Sequence, residues 1–253
     1  MAEEATGQNH IWIYDLERGT PRQLTLSGDN GGPLAWSPDG AELLYHEYVG
    51  NNLVVPWVWP VEAGGQPRRI SQDTAAHRTF SWSAGGLFAL ADGTHLTLYD
   101  PGTEQRVEIP STDQTSWGAV VSPAGDALAY TSGHTGEYHN YVQPLPPTGV
   151  VRQVSLVGGA EEPRWSRDGR RLYYRSGQRI MVATVATRPE LSVGTPAVFF
   201  EGDFVNVGGR SYDISIDGSR ALVIDGGART TTTLYVVQDW LAEVERLIEE
   251  AGR

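Results

Sequence analysis

The chain lacks cysteine and has no long apolar run. Without cysteine it can form no disulfide, no thiolate nucleophile and no cysteine-ligated zinc or iron–sulfur site. No stretch approaches the roughly 20 apolar residues of a membrane-spanning helix, and the run at residues 53–61 is broken by Pro56 and Pro60. Residues 1–8 show neither the basic nor the apolar region of an export signal. We therefore predict a soluble, cytoplasmic protein without membrane partners, with an exported fragment as the alternative.

Positive charge is scarce. Nineteen basic residues stand against 31 acidic ones, which gives a formal net charge of −12. The resulting field repels phosphate backbones and anionic lipid, and no basic run offsets it locally. The charge balance argues against a nucleic-acid partner and leaves a protein, a peptide or a small molecule as the expected ligand.

Glycine, proline and large aromatic residues are abundant instead. The 253 residues include 30 Gly, 15 Pro, 8 Trp and 11 Tyr, a composition typical of short strands separated by tight turns. The length suits one closed all-β domain with a continuous core. We predict a single all-β domain over residues 1–253.

A five-residue motif recurs through this domain: an apolar residue, serine, two further residues and glycine. Its copies are Trp36-Ser37-Pro38-Asp39-Gly40, Trp82-Ser83-Ala84-Gly85-Gly86, Val121-Ser122-Pro123-Ala124-Gly125, Trp165-Ser166-Arg167-Asp168-Gly169 and Ile214-Ser215-Ile216-Asp217-Gly218. The glycines lie 39 to 49 residues apart, the repeat length of propeller blades. The motif has the chemistry of a tight turn whose glycine takes a positive φ, so we assign all five serines a structural role.

Each motif joins two inner strands, and a second strand pair lies between successive motifs. Together they predict the four-stranded blades of a β-propeller. Five inner pairs match five outer pairs, which favours a five-bladed ring whose closing blade takes its outer strands from residues 11–26. In the alternative, residues 232–237 fill that position, and the ring is an incomplete six-bladed one completed by a second subunit. A short helix over residues 239–251 is expected on the rim, or as a dimer contact.

Two stretches carry a resemblance to a known family. Residues 9–40 (NHIWIYDLERGTPRQLTLSGDNGGPLAWSPDG) and 161–202 (EEPRWSRDGRRLYYRSGQRIMVATVATRPELSVGTPAVFFEG) resemble TolB-like β-propellers. Residues 212–253 resemble the propeller that follows some bacterial serine/threonine kinase domains, although kinase motifs are missing and the chain starts as if truncated in mid-blade. The resemblance implies a sensor or protein-binding platform and no catalytic residue.

Polar residues lie where the predicted blades connect, and the repeat predicts that they share one face. The ligand-binding candidates are Asp29, Asn30, Glu47, Arg78, Glu161, Glu162 and Arg210. His46, His77, Glu47 and Glu162 are candidate ligands for zinc, manganese or calcium. Candidates for catalysis are His77, His134 and His139. The alternative for the residues of this ring is a solvated channel lining, and for His134 and His139 it is a surface loop with two incidental histidines.

Two functions follow from these candidates. The first is a non-catalytic module that binds a protein, a peptide or a small ligand at a polar channel mouth. The second is a metal-assisted hydrolase for an activated ester, lactone or phosphotriester, in which the metal activates water. A serine hydrolase is disfavoured, because no Gly-x-Ser-x-Gly elbow occurs.

Overall fold

The computed structural model describes residues 2–3, 9–50, 53–62, 64–70, 78–91, 95–110, 115–133, 135–206, 210–215, 217–224 and 234–236. Within these ranges the chain forms strands and no helix, which confirms the all-β prediction. None of the described residues forms a helix long and apolar enough to cross a membrane. The helix predicted over residues 239–251 lies outside the described residues.

The strands fall into groups along the chain. The first four are β1 (Ala2–Glu3), β2 (Asn9–His10), β3 (Trp12–Asp15) and β4 (Thr20–Gln23). Three groups of four follow: β5 (Asp29–Trp36), β6 (Glu42–Gly50), β7 (Leu53–Pro60), β8 (Arg68–Arg69); β9 (Arg78–Trp82), β10 (Phe88–Ala91), β11 (Leu96–Asp100), β12 (Gln105–Ile109); β13 (Ser116–Val121), β14 (Ala127–Ser132), β15 (His139–Pro144), β16 (Arg152–Gln153). The last two groups are β17 (Ala160–Trp165), β18 (Arg171–Ser176), β19 (Arg179–Ala186), β20 (Ser192–Val193), β21 (Ala197–Glu201); and β22 (Tyr212–Ile214), β23 (Ala221–Ile224), β24 (Leu234–Val236).

All of the pairings between these strands are antiparallel, and β1 with β2 and β3 with β4 form two separate two-stranded sheets. Strands β5–β8, β9–β12 and β13–β16 form the first, second and third sheets, each in chain order. In the fourth sheet β17, β18 and β19 follow one another, and β19 pairs with both β20 and β21. Strands β22–β24 form the fifth sheet. The first strands of neighbouring sheets pack side by side, β9 beside β5 and β13, and β13 beside β17, so they are the innermost strands around a common axis.

The repeated motif forms the turn between the first two strands of each sheet, as predicted. Its glycines all have positive φ, between 68° at Gly169 and 84° at Gly86. In the first copy the Ser37 hydroxyl accepts a hydrogen bond from the Glu42 amide at 2.9 Å and donates one to Asp39. Ser166 and Ser215 repeat both bonds. They donate to Asp168 and Asp217, and they accept from the amides of Arg171 and Arg220. The structural role assigned to the serines is confirmed.

Apolar side chains fill the spaces between neighbouring sheets. Leu44 of the first sheet packs with Phe88 and Leu90 of the second. Further clusters join the second sheet to the third, the third to the fourth and the fourth to the fifth. The sheets therefore stack face to face around the axis, which is the blade packing of a propeller.

The last sheet decides how the amino-terminal strands are used. Its third position, beside β23, is occupied by β24. Strands β3 and β4 pair with each other as a separate amino-terminal pair, whose Ile11 and Leu24 pack on Leu43 and Tyr45 of the first sheet. In the described residues β24 therefore lies beside β23, where the five-bladed prediction placed residues 11–16, and the number of blades stays a prediction.

Candidate functional site

The strand register places the predicted polar residues at one end of the sheets. Asn30 pairs with Glu47, Arg78 with Ala91 and Glu161 with Arg175. These pairs lie at the end of each inner hairpin that is opposite the Ser-x-x-Gly turn, where the chain passes from one sheet to the next. We call this end the connection face.

In the first sheet, acidic and amide side chains are held by the neighbouring loop. Oδ1 of Asp29 accepts hydrogen bonds from the backbone N and the Nδ2 of Asn9, both at 3.0 Å. Asn30 Nδ2 donates to the carbonyls of Ser27 and Gly28 at 2.6 and 3.0 Å. Glu47 lies directly over Gly28, where a Cβ atom would stand 2.5 Å from Oε1 of Glu47. The Asp29 carboxylate is therefore held by Asn9, and both carboxylates are only partly buried.

His46 lies in a different environment from Glu47. Leu44, two residues before His46 in β6, packs on the second sheet, whereas Tyr45 packs on the amino-terminal pair. Alternate residues of a strand face opposite sides of its sheet, so His46 faces the second sheet and Glu47 faces away from it. The fold does not bring these two predicted ligands together on one ion.

The His46 ring is completely buried, and neither ring nitrogen has a hydrogen-bond partner among the described residues. It covers Gly32 so closely that a Cβ atom there would stand 1.7 Å from Cε1, and it contacts the Tyr48 ring edge-on at a centroid distance of 5.0 Å. Burial, with a further contribution from the charge of Arg78, lowers the pKa of His46 to about 4. The imidazole is therefore neutral at pH 7, the form that can accept a proton or bind a metal.

Glu161 and Glu162 belong to a buried network between the fourth and fifth sheets. Arg175 donates from Nη2 to Glu161 at 2.6 Å and from Nε to Glu162 at 3.3 Å. Glu162 also accepts the Ser211 amide at 2.7 Å and the Ser211 hydroxyl. The Tyr212 hydroxyl donates to the Glu162 carbonyl at 2.7 Å, and burial raises the pKa of that phenol well above 10. Both carboxylate oxygens of Glu162 are already used, so this residue is a bridge between sheets. Arg210 directly precedes Ser211.

Of the three catalytic candidates, the structure describes His139 alone. Its Nδ1 lies 3.1 Å from Oγ of Ser155 and 3.2 Å from Nε2 of Gln153. The Ser155 hydroxyl is completely buried and accepts the Asn140 amide at 3.0 Å, so it cannot reach a substrate. His77 and His134 lie outside the described residues. Among the residues that are described, no group of three or more metal-ligating side chains occurs.

A cavity of 520 Å³ lies at the opposite end of the axis, where the Ser-x-x-Gly turns converge. We call it the axial cavity. The inner hairpins of all five sheets line it, through Pro38 and residues 81–84, 120–123, 164–167 and 213–215. Its walls include Trp82 and Trp165, and its charged residues are Arg164, Arg167 and Asp213. Oδ1 of Asp213 is 3.6 Å from Nε of Arg164.

No function was predicted from the sequence for this end of the molecule, because turn formation explains the motif. A signal was nonetheless present. The residue before each motif occupies one repeated position on the innermost strand, and at four copies this residue lines the cavity: Ser81, Val120, Arg164 and Asp213. Turn formation does not require the two opposite charges of Arg164 and Asp213 at this repeated position, so they indicate a further role for it.

Comparisons with known proteins agree on the architecture. No family model matches the sequence, and no curated protein matches it. TolB from Acinetobacter baumannii superposes with a TM-score of 0.70 at 18% identity over 91% of this chain, which spans 57% of that chain. A putative TolB from Agrobacterium tumefaciens gives 0.63 at 15% identity, covering 77% of this chain and 75% of the other.

A chain of the nidogen/laminin complex gives a TM-score of 0.60 at 13% identity, with 90% of this chain and 94% of the other covered. Structural matches at sequence identities this low show the fold alone. Together with the stacked four-stranded sheets around a common axis, they show that the chain folds as a TolB-like β-propeller.

Proposed function

We propose that the chain is a recognition module whose connection face binds a partner protein or peptide. The observation that carries this proposal is the ordered acidic character of that face: Asp29 accepts two hydrogen bonds from Asn9, and Glu161 is held by Arg175. Side chains that are ordered before binding lose little entropy on association. One of the similar solved structures is a complex of nidogen with laminin, which is consistent with a platform role.

The expected partner is basic. The net charge of −12 favours a surface rich in lysine or arginine, and the four carboxylates predicted for this face outnumber its three arginines, Arg78, Arg175 and Arg210. Electrostatic attraction of this kind raises association rates and falls with ionic strength.

The test uses a fluorescent penta-lysine peptide and the full chain. We expect anisotropy to report salt-sensitive binding that is weakened by Asp29→Asn and by Glu47→Gln, each made as a single substitution. Glu201→Gln is the matched control, because it removes one carboxylate from an exposed pair with Arg179 in the fourth sheet. Equal loss of binding in the control would mean that net charge alone attracts the peptide, and the connection face would lose its assigned role.

Metal-assisted hydrolysis is the second candidate, and the buried imidazole of His46 favours it. A neutral imidazole without a hydrogen-bond partner is costly, and a metal ion or water shared with His77 would satisfy it. Metal analysis after dialysis, with a chelator-sensitive esterase, lactonase or phosphotriesterase assay, tests this candidate. His77→Ala should abolish metal retention and turnover, whereas His95→Ala, on the exposed face of the second sheet, should leave both intact. A metal-free, inactive wild-type chain would eliminate this candidate and leave recognition alone.

A further inference from the structure

The axial cavity combines features that the recognition proposal does not use. It lies at the turn end of the molecule, opposite the connection face, and it collects residues from every inner hairpin. Its 520 Å³ falls within the ~300–1,000 Å³ of cavities that hold small ligands. Aromatic walls with a few charged groups are typical of such sites. The chemistry of those charges indicates the kind of ligand.

Arg164 is a cation with incomplete pairing. Its side chain is 12% exposed, and its Nε and Nη2 atoms are buried without a hydrogen-bond partner among the described residues. Asp213 does not complete the pairing, because its Oδ1 stands 3.6 Å from Nε and accepts the Ile214 amide at 3.0 Å. A guanidinium in this state is stabilised by an additional oxygen acceptor carrying negative charge.

The other groups of the cavity define what else the ligand carries. Arg167 adds a second positive charge at the rim, in the turn of the fourth sheet, so the cavity is net positive within an acidic chain. Trp82 and Trp165 provide apolar surface, and the Trp165 indole nitrogen is already occupied by the Val120 carbonyl at 3.1 Å. These walls therefore contact an apolar or aromatic body rather than hydrogen-bond it.

Asp213 discriminates between kinds of anion. A carboxylate carries one negative charge, whereas a phosphate monoester carries nearly two at neutral pH. The Asp213 carboxylate, 3.6 Å from the anchoring guanidinium, repels the second charge more than it repels the first. The balance of charge is suited to a monoanion.

We infer that the axial cavity binds a carboxylate attached to an apolar or aromatic body, with Arg164 as its anchor and Trp82 and Trp165 as its walls. The carboxylate can come from a free small molecule or from the C-terminus of a peptide. This inference does not depend on the connection face, and the two proposals can fail separately.

Calorimetry on the full chain tests it with matched probes. N-acetylphenylalanine and a Gly-Gly-Gly-Phe peptide are each compared with their carboxamides, which keep the shape and lose the charge. We expect the acids to bind at least tenfold more tightly than the amides, as charge-assisted hydrogen bonds imply. The stronger of the two acids identifies the source. Binding of the amide equal to that of the acid, or tighter binding of phenyl phosphate, would overturn the assignment.

Variants localise the site. Arg164→Gln should weaken the binding of the acid about tenfold or more. Arg170→Gln removes the same charge from the turn of the same sheet but outside the axial cavity, and it should change binding less than about twofold. Asp213→Asn should strengthen binding, because a competing carboxylate is lost. That gain keeps the inference testable even if Arg164→Gln fails to fold. If binding of the acid is unchanged in Asp213→Asn and is not weakened in a folded Arg164→Gln variant, the inference is wrong. Unchanged binding in Asp213→Asn contradicts it also where Arg164→Gln does not fold.

Discussion

At the scale of single residues, the closest packing in the connection face is between a glycine and a histidine. Gly32 has a φ of +83°, and the His46 ring occupies the space where any side chain would begin. Gly40 has a similar φ of +74° but only open space around its missing Cβ. A comparison of alanine substitutions at the two glycines therefore distinguishes the energetic cost of a left-handed backbone conformation from the cost of steric overlap with the ring.

Gly32→Ala should therefore be far more destabilising than Gly40→Ala. The control carries only the penalty of a left-handed residue, about 1–2 kcal/mol, whereas Gly32→Ala also displaces a buried ring and should cost at least about 3 kcal/mol. Urea unfolding measures both. Adding His46→Ala to Gly32→Ala should recover part of the loss, and strictly additive effects would show that ring and glycine do not compete for this space.

The titration of His46 gives a pH dependence with a definite sign. Its pKa is about 4 in the folded chain, because burial disfavours the imidazolium, against about 6.5 when unfolded. Between these values the unfolded chain binds more protons, so stability is complete above about pH 6.5 and falls as the pH drops towards 4. The aspartates of the turns affect stability only at a lower pH, because hydrogen bonds from Ser37 and Ser166 lower the pKa of Asp39 and Asp168 below 3.8.

We expect the free energy of unfolding to fall by about 3 kcal/mol from pH 7 to pH 4 through His46 alone. In His46→Gln most of this slope should disappear, whereas the exposed His95→Gln should retain it. Chemical denaturation at a series of pH values supplies the measurement. A slope that is the same in His46→Gln and in the wild type would assign the titration to other groups.

At the scale of elements, the fourth and fifth sheets are joined by a charge as well as by apolar packing. Glu162 lies at the register shift in β17, with a φ of +57°, and reaches Ser211 just before β22. Its side chain is 4% exposed and that of its partner Arg175 is 9% exposed. Breaking such a pair leaves a buried charge without its full set of partners, which is costly.

Glu162→Gln should accordingly destabilise the chain by about 3 kcal/mol and speed amide exchange in β22 and β23. The matched control is Glu201→Gln, since Glu201 pairs with Arg179 at the same type of contact but both side chains are more than half exposed. That control should cost less than about 1 kcal/mol. Similar losses in the two variants would show that the bridge contributes nothing specific to the contact between sheets.

At the scale of the whole molecule, the arrangement of the ends decides whether sheet edges are exposed. Strand β24 pairs with the edge of β23, and the amino-terminal pair covers Leu43 and Tyr45 of the first sheet. Unpaired strand edges promote association between chains. Each end of the chain therefore protects a different sheet.

A chain that stops at Ile224 loses β24 and should aggregate or lose stability, even though residues 11–26 are still present. Light scattering and thermal unfolding of this truncation report the outcome. If the shortened chain stayed monomeric and equally stable, the amino-terminal strands would have to be able to take the place beside β23, as the equal number of inner and outer strand pairs predicts.

Features that depend on local chemistry can be predicted from the sequence of this protein. Each Ser-x-x-Gly turn is stabilised by bonds among neighbouring residues, such as Ser37 with Asp39 and Glu42, so the residues alone are enough to locate its five copies. The all-β class follows from the same turns and the apolar segments between them. The connection face follows too, because strand order alone places Asp29, Glu47 and Glu161 at one end of the hairpins.

Which distant groups meet depends on the tertiary structure. The complete burial of His46 depends on the position of a neighbouring sheet, and the partners of Glu162 include Ser211, 49 residues away. The position beside β23 is taken by β24, whereas the strand pattern of the sequence allowed either β24 or residues 11–16 there. The axial cavity is a space between five turns that lie far apart along the chain. Such contacts are set by packing around the axis. The repeated position before each motif signals which residues line the cavity, but the space itself exists only once the five sheets are packed.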